Sequence, residues 1–165
     1  ESYKVLDPSA RGSVSGTVKN YNSATDKVTV QLIQQGYSEP AYETIVSSGT
    51  KVGNQYTASY SISGIASGTY TMRVMKKNHV TREYTVTVSG NAKTQNAEIR
   101  LLGDVNADGI VNIKDCSRLF KHVNKTQLLT DAYAVKCANT NGDSIVNIKD
   151  CSRLFKHVNK TQPLW

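Results

Sequence analysis

The sequence predicts two domains: an all-β sandwich of seven strands over residues 1–101, followed by a small all-α domain over residues 102–165. Two observations support this division. Near Leu102 the spacing of apolar residues changes from every second residue, as in a strand, to every third or fourth, as in a helix. In the second part, the eighteen residues IVNIKDCSRLFKHVNKTQ occur at 110–127 and again, unchanged, at 145–162.

Four runs in the first part alternate apolar with polar residues, which predicts strands that have one face on a core, and three further segments bring the count to about seven strands. Val, Thr and Tyr, which favour strands, are frequent in these runs, and turn signals such as GYSEP and SGIASG separate them. Seven short strands are typical of a small β-sandwich. The predicted strands lie at about 13–19, 28–32, 42–46, 56–62, 70–74, 84–88 and 97–102.

The composition disfavours several classes of protein. The chain has 165 residues and a formal net charge of +7. A basic chain raises the question of nucleic-acid binding. However, its Lys and Arg residues form no dense block and it has no motif that reads DNA or RNA, so nucleic acid is not the favoured partner. No apolar run approaches the roughly 20 residues of a membrane helix. The sequence begins at Glu1 without a signal peptide, so it resembles a piece cut from a longer protein.

The spacing of the cysteine and histidine residues indicates neither a catalytic site nor a zinc site. The three cysteines are Cys116, Cys137 and Cys151. Their number and spacing fit neither a disulfide framework nor a zinc site, so buried free thiols are favoured, while a disulfide between two of them stays open. His79 is predicted to lie in a solvated turn. His122 and His157 are interpreted as surface residues rather than metal ligands.

Two identical helices are predicted in the second part. Cys116, Leu119, Phe120 and Val123 fall at i, i+3, i+4 and i+7, which places them on one face of an α-helix. Asn112 can cap this helix, with an acidic residue in its first turn. The corresponding residues of the second helix are Cys151, Leu154, Phe155, Val158 and the capping Asn147.

A shorter helix over residues 130–138 is predicted between the two copies, with Thr130 or Asp131 at its start. The role of Phe120 is left open, because a position in the core and a position in contact with a partner fit the pattern equally well. A helical domain this short can bury only a small core, so a further source of stability is expected.

The stretch DVNADGIVNIKD, which runs into the first helix, has oxygen-bearing residues at the spacing that can wrap a Ca²⁺ ion. Ca²⁺ takes six to eight oxygens, and a twelve-residue loop supplies them from positions 1, 3, 5, 7, 9 and 12, with Gly at position 6. Gly109 is at position 6, and Val111 is expected to point inward and pair with Val146 of the other copy. The predicted ligands are Asp104, Asn106, Asp108, the backbone carbonyl of Ile110, Asn112 (directly or through water) and Asp115.

The stretch NTNGDSIVNIKD repeats this pattern with two differences. Asn139 replaces Asp as the first ligand, so two carboxylates remain where the first loop has three. Ser144 replaces Gly at position 6, where the backbone conformation is unfavourable for a residue with a side chain. We therefore expect a second Ca²⁺ that is held more weakly. The predicted ligands are Asn139, Asn141, Asp143, the backbone carbonyl of Ile145, Asn147 and Asp150.

Two loop-helix units joined by a middle helix, with a strand before the first loop, resemble the dockerin domain of cellulosome-type assemblies. The resemblance covers about 102–165 and is carried by GDVNADGIVNIKD, the second loop and the duplicated helix. It implies two EF-hand-like calcium loops and a 1:1 complex with a cohesin domain of a scaffolding protein. It also implies that the dockerin can bind in two orientations.

The first part is similar to the carboxypeptidase-regulatory-like or transthyretin-like sandwiches of secreted bacterial proteins. The similarity is carried by GSVSGTV and by the step Gly68-Thr69-Tyr70 into a strand. A sandwich directly before a dockerin is a known arrangement, called an X module. Together the two resemblances imply a secreted, extracellular bacterial protein, which its scaffold can attach to a cell surface.

The dockerin resemblance implies docking residues late in each loop and along the helix that follows. The basic ones could instead form a solvated face, but their unchanged duplication favours a shared binding surface. Many dockerins have Ser-Thr where this chain has Ile-Lys, so the type of cohesin stays open. In the first repeat the positions are Ile113, Lys114, Arg118, Phe120, Lys121 and Lys125; in the second they are Ile148, Lys149, Arg153, Phe155, Lys156 and Lys160.

These features predict a non-catalytic assembly module that tethers a polysaccharide-degrading or polysaccharide-binding protein to an extracellular scaffold. No Ser/His/Asp set and no carboxylate pair at catalytic spacing supports an enzyme. One alternative is an extracellular carbohydrate-binding module with a calcium-stabilised appendage, in which exposed tyrosines stack on sugar rings. Another is a calcium sensor, which the missing helix before the first loop disfavours.

Overall fold

The computed structural model describes residues 9–22, 27–46 and 49–165, so the first eight residues of the predicted sandwich domain lie outside it. Within the described residues, eleven strands precede three helices. The strands are β1 (Arg11–Tyr21), β2 (Val28–Gln34), β3 (Tyr42–Val46), β4 (Thr50–Val52), β5 (Gln55–Ala66), β6 (Gly68–Met75), β7 (His79–Val80), β8 (Arg82–Val88), β9 (Ala92–Thr94), β10 (Ala97–Glu98) and β11 (Arg100–Leu101). The helices are α1 (Ile113–Val123), α2 (Ala132–Ala138) and α3 (Ile148–Val158).

The strands form a two-layer sandwich and a short ribbon. One sheet has the order β10-β1-β5-β4, with β9 also paired to β1, and the other has the order β3-β2-β6-β8. The ribbon pairs β7 with β11. One hydrophobic cluster contains residues from both sheets, so the sheets pack face to face as the sequence predicted.

Alternation along the strands follows the sequence prediction. In β2, Val30 and Leu32 are fully buried, whereas the intervening Gln31 is partly exposed. In β6, Tyr70 and Met72 lie in the same core. The buried faces therefore match the apolar positions of the period-2 pattern.

The strand count and one histidine differ from the prediction. The strand expected at 97–102 is split into β10 and β11, and the short strands β4, β7 and β9 were not predicted, because two or three residues show no alternation. His79 begins β7 and is half-buried, and its Nε2 accepts a hydrogen bond from Asn22 N at 2.9 Å. The prediction of a solvated turn histidine is therefore wrong, since pairing of β7 with the distant β11 is not visible in the local sequence.

Both long helices begin at the predicted caps. Asn112 caps α1 by accepting a hydrogen bond from Lys114 N at 2.8 Å, and Asp115 accepts one from Asn112 N at 2.9 Å, which completes a capping box. Asn147 and Asp150 repeat this arrangement at α3. Within the described residues, no helix is both long and apolar enough to cross a bilayer.

The helical domain has a small core of its own, in which Leu119 and Leu154 are fully buried. Val111 and Val146 pack against this core, so both point inward as expected. Phe120, by contrast, is 51% exposed, which settles the question of its position in favour of the surface.

All three cysteines are buried and free, as the sequence favoured. Burial raises the pKa of the Cys116 thiol to about 11 and that of Cys137 to about 12, and it also raises the pKa of Cys151. The three side chains therefore remain neutral thiols at physiological pH and act as apolar core residues.

Helix α2 joins the helical domain to the sandwich. Asp131, rather than Thr130, caps α2 by accepting a hydrogen bond from Tyr133 N at 3.0 Å. The Tyr133 hydroxyl accepts a hydrogen bond from Arg100 N at 3.0 Å and donates one to Val80 O at 2.5 Å. One buried side chain thus fixes α2 against both strands of the β7–β11 ribbon.

Candidate metal centre and docking surface

The first loop brings three carboxylates together. One oxygen from each of Asp104, Asp108 and Asp115 lies within 4.8 Å of the other two, and Asp104 and Asp115 are fully buried. None of the ion pairs among the described residues involves these carboxylates. Buried carboxylates without a cationic partner are costly, and an all-oxygen donor set fits a hard divalent cation such as Ca²⁺.

Backbone N–H groups orient two of these carboxylates. Asp104 accepts hydrogen bonds from Asp108 N at 3.1 Å and from Gly109 N at 2.9 Å. Asp115 accepts one from Val105 N at 2.8 Å. The loop backbone therefore holds the carboxylates in their convergent arrangement.

The electrostatics of the loop oppose ionisation of its buried carboxylates. The pKa of Asp104 is raised to about 6, chiefly by burial and also by the charges of Asp115 and Asp108. Burial raises the pKa of Asp115 as well. Holding these groups ionised at neutral pH therefore costs folding free energy, and a divalent cation in the loop would remove that cost.

The amide side chains of the first loop already make hydrogen bonds within the loop. Asn106 Oδ1 accepts a hydrogen bond from Asp108 N at 3.0 Å, and Asn112 Oδ1 is used in the cap of α1. At position 7 of the two loops, Ile110 and Ile145 are 40% and 63% exposed. The structure thus gathers the predicted carboxylates, and Asn112 has the additional role of capping α1.

The second loop has the same backbone pattern with less charge. Asp150 is fully buried and accepts a hydrogen bond from Asn141 N at 3.2 Å. Asn139 Oδ1 accepts one from Gly142 N at 3.0 Å. Because Asn139 is neutral, Asp143 and Asp150 supply the negative charge of this loop.

Each loop has two residues in the left-handed conformation, at positions 4 and 6. In the first loop these are Ala107 (φ +66°) and Gly109 (φ +82°), and in the second they are Gly142 (φ +75°) and Ser144 (φ +70°). Ser144 does adopt the predicted unfavourable conformation, but Ala107 does so in the first loop. Backbone strain is therefore equal in kind in the two loops, and the difference in charge is what remains of the predicted asymmetry.

Helices α1 and α3 form an apolar groove of about 400 Å³. Cys116, Ser117, Cys151 and Ser152 are among the residues that line it. Four large apolar side chains at matching positions of the repeat line it, each about half exposed: Ile113 (57%), Phe120 (51%), Ile148 (57%) and Phe155 (49%). Exposed apolar surface concentrated in this way is typical of a protein-binding site.

The basic residues that were predicted to contact a partner fall into two groups. Arg118 donates hydrogen bonds to the carbonyls of Gln127 at 2.7 Å and Leu128 at 2.9 Å, so it fixes the segment after α1. Its copy Arg153 is half-buried, and the Nε atom of Arg153 has no hydrogen-bond partner among the described residues. The exposed group consists of Lys114, Lys121, Lys125, Lys149, Lys156 and Lys160.

Two of these lysines adopt a conformation that glycine would adopt more easily. Lys125 and Lys160 follow the ends of α1 and α3 with φ of +60° and +58°. The left-handed conformation strains a lysine by about 1–2 kcal/mol. Replacing the lysine with glycine removes this strain but costs about 0.5–1 kcal/mol, because glycine has more freedom in the unfolded chain. We therefore expect Lys125→Gly to stabilise the helical domain by about 0.5–1 kcal/mol.

Denaturant titration in saturating Ca²⁺ measures this effect for Lys125→Gly and for Lys160→Gly. The control is Lys136→Gly inside α2, which should destabilise the domain by about 1 kcal/mol. If Lys125→Gly destabilised the domain as Lys136→Gly does, the left-handed strain would not be the controlling factor.

The sequence did not reveal the contacts of the two later histidines. His122 Nδ1 accepts a hydrogen bond from Leu129 N at 3.0 Å, and His157 Nδ1 accepts one from Leu164 N at 3.1 Å. Both histidines are half-buried rather than on the surface, and burial lowers the pKa of His157. The equal spacing from each histidine to a leucine just outside the identical repeat was a signal for this role.

The fold and the two loops define a small helical domain built from two loop-helix units. Residues 102–159 match the family model described as the dockerin type I domain, so this part of the chain is a dockerin, and a β-sandwich precedes it. No curated protein matches the chain.

Two solved structures are similar to the chain, and both are interface mutants of a type II cohesin-X-dockerin complex from Acetivibrio cellulolyticus. The C-terminal interface mutant is 22% identical with a TM-score of 0.35. The N-terminal interface mutant is 18% identical with a TM-score of 0.36. Each match covers 88% of this chain and 94% of the other.

Proposed function

We propose that the chain is a non-catalytic assembly module whose dockerin binds a cohesin domain of a scaffolding protein in a 1:1 complex. The observation that carries this proposal is the groove between α1 and α3, lined by four half-exposed apolar side chains from a dockerin domain. Exposed lysines on both helices favour a cohesin surface that presents apolar side chains surrounded by acidic ones.

We further propose that the dockerin holds two Ca²⁺ ions, one in each loop, at the predicted ligands. The converging carboxylates of Asp104, Asp108 and Asp115 support the first site. Buried Asp150 with Asp143 supports the second. Because the helical core is small, Ca²⁺ binding would supply much of the free energy that folds this domain.

The first site is expected to be the tighter one. Asp104 is fully buried, accepts two backbone hydrogen bonds and carries a charge, whereas Asn139 is neutral and half-buried. Asp104→Ala should therefore destabilise the Ca²⁺-bound dockerin more than Asn139→Ala, by at least about 1–3 kcal/mol for the backbone donors left unpaired. Calorimetry with Ca²⁺ should resolve two unequal sites, and two equal sites would contradict this ranking.

The proposed units divide at Leu101, with the sandwich over 1–101 and the dockerin over 102–165. The sandwich would support the dockerin and hold it at a distance from a further module that degrades or binds polysaccharide. In this arrangement the protein works outside a bacterial cell, where Ca²⁺ is abundant, and the scaffold attaches it to the cell surface.

The second candidate function, carbohydrate binding by the sandwich, receives less support. Tyr60 and Tyr70 are buried, and Tyr56 and Tyr84 pack against the core, so these four rings offer no open platform for a sugar. Tyr37 is 71% exposed, but one ring on a turn makes a weak platform. Co-sedimentation of the full chain with insoluble polysaccharide separates the functions, because an assembly module should remain in the supernatant while still binding cohesin.

A further inference from the structure

The sandwich contacts the backbone of the first calcium loop. Asn22, just after β1, donates a hydrogen bond from Nδ2 to Gly109 O at 2.6 Å. Gln55, at the start of β5, donates one from Nε2 to Ala107 O at 3.1 Å. The two acceptors are the left-handed residues at positions 4 and 6 of the loop, and both bonds are partly buried.

The side chain of Gln55 also fills the space beside position 6. A Cβ atom added to Gly109 would lie 2.4 Å from Gln55 Cγ and 3.3 Å from Asn54 O. In the second loop, Ser144 carries a side chain at the equivalent position and is exposed. The first loop therefore needs glycine for its contact with the sandwich as well as for its backbone conformation.

Hydrogen bonds and strand pairing also fix the part of the sandwich around Asn22. Asn22 N donates to His79 Nε2 at 2.9 Å, which places the imidazole proton on Nδ1, and Nδ1 donates to Lys77 O at 2.7 Å. His79 also pairs with Leu101 in the β7–β11 ribbon, three residues before the loop begins. One donor thus directly follows β1 and the other is the first residue of β5.

We propose that the sandwich stabilises the ion-bound conformation of the first calcium loop, so that Asn22 and Gln55 selectively raise its affinity for Ca²⁺. This inference rests on the proposed calcium sites. Without Ca²⁺, the crowded carboxylates of the loop oppose its folded conformation, so both hydrogen bonds form fully only when the ion is bound. Their free energy then appears in the affinity of the first site.

Linkage gives the same coupling in the opposite direction. If the contact with the sandwich strengthens Ca²⁺ binding, then Ca²⁺ in the first loop strengthens the contact by the same factor. Calcium would therefore fix the dockerin against the sandwich as well as fold it. We expect Ca²⁺ to raise the melting temperature of the strands, although none of the proposed ligands lies in the sandwich.

The test uses Asn22→Ala and Gln55→Met in the full chain, singly and together, with Gln31→Met as the control. Gln31 lies in the other sheet and donates its side-chain hydrogen bond to Glu43 at 2.6 Å. After removal of bound metal, calorimetric titration with Ca²⁺ should show one site weakened roughly tenfold in the double variant, the loss expected for two hydrogen bonds. The other site should be unchanged, and Gln31→Met should match the unmodified chain.

The outcomes separate this inference from the proposed function. If the unmodified chain binds no Ca²⁺, the proposed calcium sites are wrong. If it binds two ions and the variants keep both affinities, stabilisation of the ion-bound loop by the sandwich is wrong. Equal weakening of both sites would also overturn it, as would a Ca²⁺-dependent rise in strand melting that is the same in the double variant. Each single variant gives an independent result if the double variant fails to fold.

Discussion

Chelation of Ca²⁺ is expected to unfold most of the helical domain while leaving the sandwich folded. Asp104 and Asp115 are fully buried, the pKa of each is raised by burial, and the described ion pairs include neither. The ion-free loop would therefore concentrate negative charge at neutral pH, and the small core around Leu119 and Leu154 would have to offset it alone.

Circular dichroism of the full chain measures this effect. Excess chelator should remove most of the helical signal, retain the strand signal, and be reversed by added Ca²⁺. The sandwich provides the internal control, because its core is separate from the helical one. Unchanged helicity in excess chelator would show that Ca²⁺ does not drive folding of this domain.

Charge reversal on one repeat is expected to weaken cohesin binding only about twofold, whereas reversal on both should abolish it. The lysines of the two repeats occupy matching exposed positions. If a pseudo-twofold axis relates the repeats, a half-turn of the dockerin would present Lys149 and Lys156 where Lys114 and Lys121 had been. Surface substitutions usually change stability by less than about 0.5 kcal/mol. Stability alone therefore does not explain why these lysines are repeated without change.

The variants are Lys114→Glu with Lys121→Glu, Lys149→Glu with Lys156→Glu, and all four together, with affinity and stoichiometry measured by calorimetry in Ca²⁺. Loss of one of two equal binding modes halves the affinity, and the stoichiometry should stay at one to one. If one pair abolishes binding while the other is silent, a single orientation is used. Arg118 and its copy Arg153 already make different contacts despite the identical sequence of the two repeats.

Local sequence patterns predicted the elements that depend on local physical chemistry. Alternation identified the long strands, helical spacing identified α1 and α3, and Asn112 was recognised as a cap from its position before an apolar face. The dockerin itself was predicted from the duplicated loop and helix, and the family match confirms it.

What the sequence did not predict depends on contacts between distant residues. The same helical spacing that buries Leu119 leaves Phe120 half exposed, at the groove that it lines with residues of α3. The left-handed conformation of Ala107 has no signal in the residue type. Asn22 and Gln55 look like ordinary loop and strand residues, and only the fold brings them to the first loop of the dockerin.

The central claim, that this chain is a calcium-dependent cohesin-binding module, is tested most directly by screening the full chain against a panel of cohesins of different types. Each cohesin is measured in Ca²⁺ and again in excess chelator. The account predicts that at least one cohesin binds one to one in Ca²⁺ and that chelator abolishes this binding. Binding that persists undiminished in chelator would contradict the calcium dependence, and no binding across the panel in Ca²⁺ would contradict the assembly function.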